Sequence, residues 1–154
     1  MDLLNLLKPG AVKVFSGAAS KKRLLHDVSD LFQSAYGIPS DVVLGALMER
    51  ETLGPTGVGH GVALPHARLG DVNEVIGAFV LLEKPVDFEA IDRQPVDVAF
   101  SLLAPANAGV EHLKALALVS RTLRDQSVCS KLRRNPDAST LYTILSEAQS
   151  VQAA

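Results

Sequence analysis

A histidine and a cluster of glycines stand close together near the middle of the chain. Residues 54–61 contain four glycines, and His66 follows five residues later, directly after a proline. A neutral imidazole offers an unprotonated ring nitrogen near pH 7, so His66 has the chemistry of a nucleophile that needs no metal. A proline fixes the backbone before it, which suits a side chain that must be held at a loop-lined edge. The alternative is a histidine that only satisfies a hydrogen bond in the loop.

The glycines do not follow either of the common phosphate-binding patterns. The segment lacks the Lys-Ser/Thr pair of a P-loop and the Gly-x-Gly-x-x-Gly spacing of a dinucleotide site. Gly57, Gly59 and Gly61 alternate instead, which predicts twisted, extended chain. We expect this chain to lead into a short strand, Val62–Leu64, that ends at Pro65-His66.

Two further residues have side chains suited to an anionic group. Arg50 lies near the end of a predicted helix, and its planar guanidinium matches phosphate oxygens. The alternative is a solvated arginine between Glu49 and Glu51. His112 falls in the first turn of another predicted helix, where backbone amides and the helix dipole favour anions and a neutral imidazole. The alternative there is a surface histidine.

The apolar spacing predicts the elements that must position these residues. Helices are expected from Ser20 to about Gly37, from Ser40 to about Gly54, and three times after residue 110. Apolar runs predict strands at 12–15, 75–82 and 96–103. Strands at the centre with helices before and after them predict a three-layer α/β/α sandwich.

Length and composition limit the number of domains, the kinds of partner and the compartment that the protein can have. The 154 residues suit a single domain, and a net charge of −2 gives no general attraction to nucleic acid or to a membrane surface. A single cysteine, Cys129, allows no internal disulfide, and the first residues contain no basic leader, so we expect a cytoplasmic protein.

The segment Thr56–His66 resembles the phosphohistidine signature of the fructose/mannitol-type EIIA proteins of the bacterial phosphotransferase system. The resemblance continues through Phe88–Asp97 and the helix start His112–Leu116, and so covers nearly the whole chain. It is closest to the nitrogen-regulatory branch of that family. It implies a mixed sheet between helical layers, and it implies that His66 accepts a phosphoryl group from a histidine-containing carrier protein of the NPr or HPr kind, without a cofactor or metal.

The same resemblance gives expectations for the other site residues. It places Arg50 beside the phosphoryl group and makes His112 the second histidine of the site. His60 stands where many relatives carry asparagine, and we expect it, with Gly59 and Gly61, to line the phosphate pocket or to brace the loop. A carrier must dock here, so exposed apolar residues are expected around the site.

Several functions remain open from the sequence. The favoured one is a phosphocarrier that regulates target proteins, such as transporters or sensor kinases, by its phosphorylation state. The alternative is a free-standing sugar-specific EIIA that passes phosphate to an EIIB, and no EIIB segment is present in these residues. A metal site formed by His60, His66 and His112 and a non-catalytic interaction module are the remaining hypotheses.

Overall fold

Two long antiparallel strands form the centre of a six-stranded mixed sheet. The computed structural model describes residues 2–153, with the side chains of residues 2–148. The strands are β1 (Leu7–Phe15), β2 (Gly57–Gly59), β3 (Val62–Ala63), β4 (His66–Leu69), β5 (Ile76–Val86) and β6 (Val96–Pro105). Their order is β1-β5-β6-β3-β2, and β4 also pairs with β6. β5 and β6 are antiparallel, whereas β1 is parallel to β5, and β3 and β4 are parallel to β6.

Helices cover both faces of this sheet. They are α1 (Leu3–Leu6), α2 (Lys21–Tyr36), α3 (Ser40–Thr52), α4 (Val110–Arg124), α5 (Gln126–Arg133) and α6 (Ala138–Ala153). α2 packs against α3, and α5 contacts both α4 and α6. The predicted α/β/α arrangement is confirmed, including the three closing helices. None of the described helices combines the length and apolar character needed to span a bilayer.

The two central strands are apolar because both of their faces are covered. Residues Ile76–Leu82 of β5 and Val98–Ala104 of β6 are buried throughout. Phe79 and Phe100 lie opposite each other in the register, with ring centroids 6.1 Å apart in an edge-to-face contact. The sheet is therefore a rigid base for side chains at its edges.

The sequence predicted the ends of α2 correctly but not the start of α3. The Ser20 hydroxyl accepts a hydrogen bond from the Arg23 amide, and Gly37 ends α2 in the left-handed region at φ 78°. Ser40, in contrast, is the first helical residue, and Pro39 precedes it as the cap. The Ser40 hydroxyl donates to the Asp30 carboxylate at 2.6 Å, so it joins the two helices instead of capping one.

The predicted strand Val62–Leu64 does end before Pro65, but it is one residue shorter, and His66 does not lie beyond a strand end as expected. β3 ends at Ala63, and a new strand, β4, begins at His66 on the same side of β6. Residues 64 and 65 interrupt what would otherwise be one continuous edge, because a proline has no amide proton to give to a strand ladder. β1 and β5 also extend beyond their predicted limits, and the short α1 was not predicted.

Candidate functional site

The backbone just before His66 is tied directly to the buried strand β6. The Pro65 carbonyl accepts hydrogen bonds from the Ser101 hydroxyl at 2.7 Å and from the Leu102 amide at 3.0 Å. Ser101 is completely buried and stands in an otherwise apolar part of β6. Two bonds to one carbonyl therefore fix the point at which the chain re-enters the sheet. The sequence analysis missed Ser101, because one serine in an apolar run carries no distinct signal.

The hydrogen bond of the His66 ring decides which nitrogen is available. Nδ1 lies 2.7 Å from the carbonyl oxygen of Leu64. A carbonyl oxygen only accepts, so Nδ1 carries the proton and Nε2 keeps its lone pair in the neutral ring. The ring itself is half-buried. The structure therefore presents Nε2 as the nucleophilic atom.

The surroundings of His66 keep its ring neutral near physiological pH. Burial lowers its pKa from the ordinary 6.5, partly opposed by the hydrogen bond to Leu64. The positive charge of Arg50 lowers the pKa further, Glu51 raises it, and Arg68 lowers it again. The net direction is downward, so the free lone pair on Nε2 is present at pH 7.

His112 packs beside His66 as a second neutral imidazole. The two ring centroids are 5.5 Å apart, and His112 is only 5% exposed. The pKa of His112 is lowered to about 4, mainly by burial and further by the charges of His66, when protonated, and of Arg68. Its Nδ1 is buried without a hydrogen-bond partner among the described residues. A surface histidine, the alternative considered from the sequence, is therefore excluded.

Arg50 faces the site from the last turn of α3. Its Nη1 donates a 3.0 Å hydrogen bond to the Gly54 carbonyl, and the residue is half-buried. Its charge acts on the His66 ring. The arginine therefore braces the start of the glycine segment, and no ion pair among the described side chains joins it to a carboxylate.

Glu51 anchors the glycine segment and was not predicted. Its carboxylate accepts from the Thr56 amide at 3.1 Å and from the Thr56 hydroxyl, and it pairs with Lys21 at 2.9 Å. The Glu51 side chain is 5% exposed, so the pair is largely removed from water. The signal in the sequence was ambiguous, because Glu49-Arg50-Glu51 has the composition of a solvated helix end.

The glycines form a β-hairpin with a two-residue turn. His60 and Gly61 connect β2 to β3 with φ of 57° and 79°, and two positive values are what a type I′ turn requires. The His60 amide donates to Asp92 at 2.9 Å, and the His60 carbonyl accepts from Arg133 at 2.8 Å. A Cβ at Gly61 would stand 2.6 Å from the Arg133 guanidinium. Both hydrogen bonds reach the turn through the His60 backbone, and they hold the hairpin in place.

The His60 side chain is exposed, and we expect it to be dispensable because the turn is held through the His60 backbone. His60→Gly keeps both backbone hydrogen bonds and suits a positive φ, so phosphorylation of the protein should stay within about twofold of wild type. His60→Val is the control, since a β-branched residue disfavours this φ, and it should lower the melting temperature. A large loss of phosphorylation in His60→Gly, with an unchanged melting temperature, would instead give the imidazole a role in the pocket.

The structure does not gather His60, His66 and His112 into a metal site. Among the described side chains, the group close enough to share an ion is His26, Asp27 and Asp30 on α2, with ligand atoms within 4.8 Å of one another. Asp27 is already paired with Arg23 at 3.1 Å. The hypothesis of a metal centre at the three histidines therefore has no geometric support.

Exposed apolar side chains lie along α4, on the helix that carries His112. Leu113 is 62% exposed one residue further on, and Val58 on the hairpin is 45% exposed. Val58 and the neighbouring hairpin residues line a shallow groove of about 120 Å³ with Ser120, Leu123 and Arg124 of α4. α4 and the hairpin therefore each expose an apolar side chain.

These elements bring together a neutral imidazole with a free ring nitrogen, a second imidazole and the charge of an arginine. Comparison with known proteins specifies the family. Residues 5–148 match the family described as phosphoenolpyruvate-dependent sugar phosphotransferase system, EIIA 2. The chain therefore belongs to this family, and its predicted resemblance to EIIA proteins is confirmed.

Individual relatives narrow the comparison further. The chain is 42% identical over 145 residues to the nitrogen regulatory protein of Bradyrhizobium diazoefficiens, covering 94% of this chain and 95% of that one. It is 35% identical over 148 residues to a fructose-specific EIIA component of Haloferax volcanii, covering 96% and 91%. Its fold matches the crystal structure of the nitrogen regulatory protein IIA-Ntr of Neisseria meningitidis with a TM-score of 0.85 and 34% identity, covering 93% and 98%.

Proposed function

We propose that this phosphotransferase component takes its phosphoryl group on Nε2 of His66 and that its phosphorylation state regulates target proteins. The observation that carries the proposal is the hydrogen bond from Nδ1 of His66 to the Leu64 carbonyl, which leaves Nε2 with its lone pair. The phosphoryl donor is a phosphohistidine on a carrier protein of the NPr or HPr kind. Such a donor is made in the cytoplasm, which is where we place this protein.

The transfer is a displacement at phosphorus. The bond from Nε2 of His66 to phosphorus forms as the donor's N–P bond breaks, and the electron pair of that bond returns to the donor ring. Charge is spread over three phosphoryl oxygens in the transition state, so positioned donors and cations provide most of the catalysis. Arg50 supplies a guanidinium, and His112 supplies a ring N–H to a phosphoryl oxygen.

A regulatory role is favoured over sugar transport by the similarity to nitrogen regulatory proteins at about 40% identity. Phosphorylation adds about −1.5 to −2 charge at a half-buried site, which is enough to change the partners that a surface accepts. The partners we propose are transporters or sensor kinases. The second candidate is transfer onward to an EIIB, and the similarity to a fructose-specific EIIA component favours it.

One experiment tests acceptance of the phosphoryl group. The full chain is incubated with phosphoenolpyruvate, enzyme I and a histidine-containing carrier, and intact mass is followed with time. We expect one added phosphoryl group, labile to acid and mapped by fragmentation to His66. Stable phosphate on a serine or threonine, or no phosphate at all, would contradict the proposal.

A second experiment separates regulation from sugar transport. The phosphorylated chain is mixed with fructose-type and mannitol-type EIIB proteins, and the loss of phosphate from His66 is measured. The regulatory role predicts transfer that is much slower than the exchange with the carrier. Rapid and complete transfer to an EIIB would support the sugar-specific alternative.

The apolar surface on α4 is the proposed docking face for the carrier. Leu113→Glu places a charge on α4 directly after His112, so the apparent KM for the carrier should rise about tenfold, because burying an unpaired charge in a small interface is unfavourable. Val42→Glu is a matched control at an exposed apolar position at the start of α3. Equal transfer rates for Leu113→Glu and the control would exclude this face.

A further inference from the structure

Arg68 shares the face of β4 that presents His66. Side chains alternate along a strand, so residues 66 and 68 point to the same side while Ala67 points to the other, and only Ala67 of the three is buried. Two residues along a strand are roughly 6–7 Å apart, a distance that an arginine side chain spans easily. The register of β4 with β6 fixes both positions, with His66 opposite Leu102 and Arg68 opposite Ala104.

The guanidinium of Arg68 acts on both histidines. Burial is the main cause of the low pKa of His66 and of His112, and the charge of Arg68 lowers both values further. Arg50 contributes to the low pKa of His66. The position of Arg68 on the strand and its influence on both rings place its charge beside the pair.

Arg68 has no counterion within the described part of the chain. The ion pairs there join other groups, including Lys21 with Glu51 and Arg133 with Asp97. Glu51 is therefore already balanced by Lys21. Two neutral imidazoles beside two arginines leave the site with an excess positive charge, which is the complement of a phosphoryl group.

We propose that Arg68 is a phosphate-binding residue of this site, whose guanidinium pairs with the phosphoryl oxygens as the group moves to Nε2 of His66. This inference rests on the proposed role of His66. Arg50 commits one N–H to the Gly54 carbonyl, whereas the guanidinium of Arg68 forms no ion pair with any described side chain and adds further donors. An arginine suits this task better than a lysine, because its planar fork binds two oxygens at once.

The test uses the small phosphoryl donor phosphoramidate, which removes the carrier from the reaction. Phosphorylation of the full chain is followed by intact mass for wild type, Arg68→Gln, Arg68→Lys and Arg134→Gln. We expect Arg68→Gln to react about tenfold more slowly and Arg68→Lys to recover part of the rate. Arg134→Gln is the control, since it removes one exposed positive charge from the end of α5 and should react like wild type.

A binding measurement supplies a readout that does not depend on the reaction. Inorganic phosphate is titrated into the unphosphorylated protein, and the ring signals of His66 and His112 are followed by NMR. We expect the affinity for phosphate to fall about tenfold in Arg68→Gln and to be unchanged in Arg134→Gln.

The outcomes separate this inference from the proposed function. If wild type takes no phosphoryl group from either donor, the role of His66 fails. If wild type reacts but Arg68→Gln reacts equally fast with phosphoramidate and binds phosphate equally well, the role of Arg68 alone is overturned. A defect seen only with the carrier protein would also overturn it, because Arg68 would then act in docking.

Discussion

Replacing His66 with glutamine should abolish phosphoryl acceptance while leaving the fold in place. Glutamine has no nucleophilic nitrogen, so the rate of labelling from the phosphorylated carrier should fall by a factor on the order of 10³ or more. The lost hydrogen bond to the Leu64 carbonyl should cost about 1 kcal/mol of stability. The measurement is the time course of intact mass, together with the free energy of unfolding in urea.

The other histidines provide controls for this result. His26→Gln changes an exposed site on α2 that pairs with Asp30, and it should be phosphorylated at the wild-type rate. His112→Gln keeps the nucleophile but removes the second imidazole, so His66 should still be phosphorylated, but more slowly than in wild type. Labelling of His66→Gln at the wild-type rate would assign the phosphoryl group to another residue.

Phosphorylation of His66 should raise the pKa of His112 from about 4 to the neutral range. The ring centroids of His66 and His112 are 5.5 Å apart. An added charge of about −1.5 to −2 at roughly this distance, at an effective dielectric of ~20, attracts a proton to His112 by about 4–6 kcal/mol. This energy corresponds to an increase of at least about a thousandfold in the proton affinity of His112. The Nδ1 of His112, which has no partner in the described residues, would then carry a proton near neutral pH.

The sign of the pH dependence follows from this change. Between the low pKa of the unphosphorylated state and the raised pKa of the phosphorylated state, the phosphorylated protein holds one more proton on His112. Phosphorylation therefore becomes more favourable as the pH falls, by up to about tenfold per pH unit in this window. Arg68 opposes this protonation, since its positive charge already lowers the pKa of His112.

NMR titration of the His112 ring in the two states measures this directly. The unphosphorylated protein should show no titration of His112 between pH 6 and pH 8, and the phosphorylated protein should show one. The equilibrium with the carrier, measured at several pH values, should lose part of its pH dependence in His112→Gln. A His112 ring that stays neutral at pH 6 after phosphorylation would contradict the prediction.

The sequence predicted the parts of the fold that have long apolar patterns. The two central strands and the helices on either side were identified because burial on both faces of a strand, and on one face of a helix, leaves a periodic signal. β4 was missed because His66–Leu69 has only four residues, and its partner strand lies more than 30 residues further along the chain. Pairing between strands so far apart in sequence cannot be predicted from the local spacing of apolar residues.

The candidate site was predicted unevenly for a related reason. His66, Arg50 and His112 have distinctive side chains, and the family resemblance placed them together before their proximity was visible. Ser101 and Glu51 act through hydrogen bonds to the Pro65 carbonyl and to Thr56, and such bonds are specified by the folded chain alone. The start of α3 was mispredicted for the same reason, since the Ser40 hydroxyl donates to Asp30 on α2 and does not cap its own helix.

Because Pro65 is bonded to β6, the part of the chain that holds His66 is separate from the part proposed to contact partner proteins. The proposed acceptor, His66, directly follows a residue bonded to the buried strand β6, whereas the proposed docking surface lies on α4 and the hairpin. Substitutions on that outer surface can exchange one partner for another without displacing the nucleophile. The reactive centre can thus stay constant through a lineage while the proteins that it serves diverge.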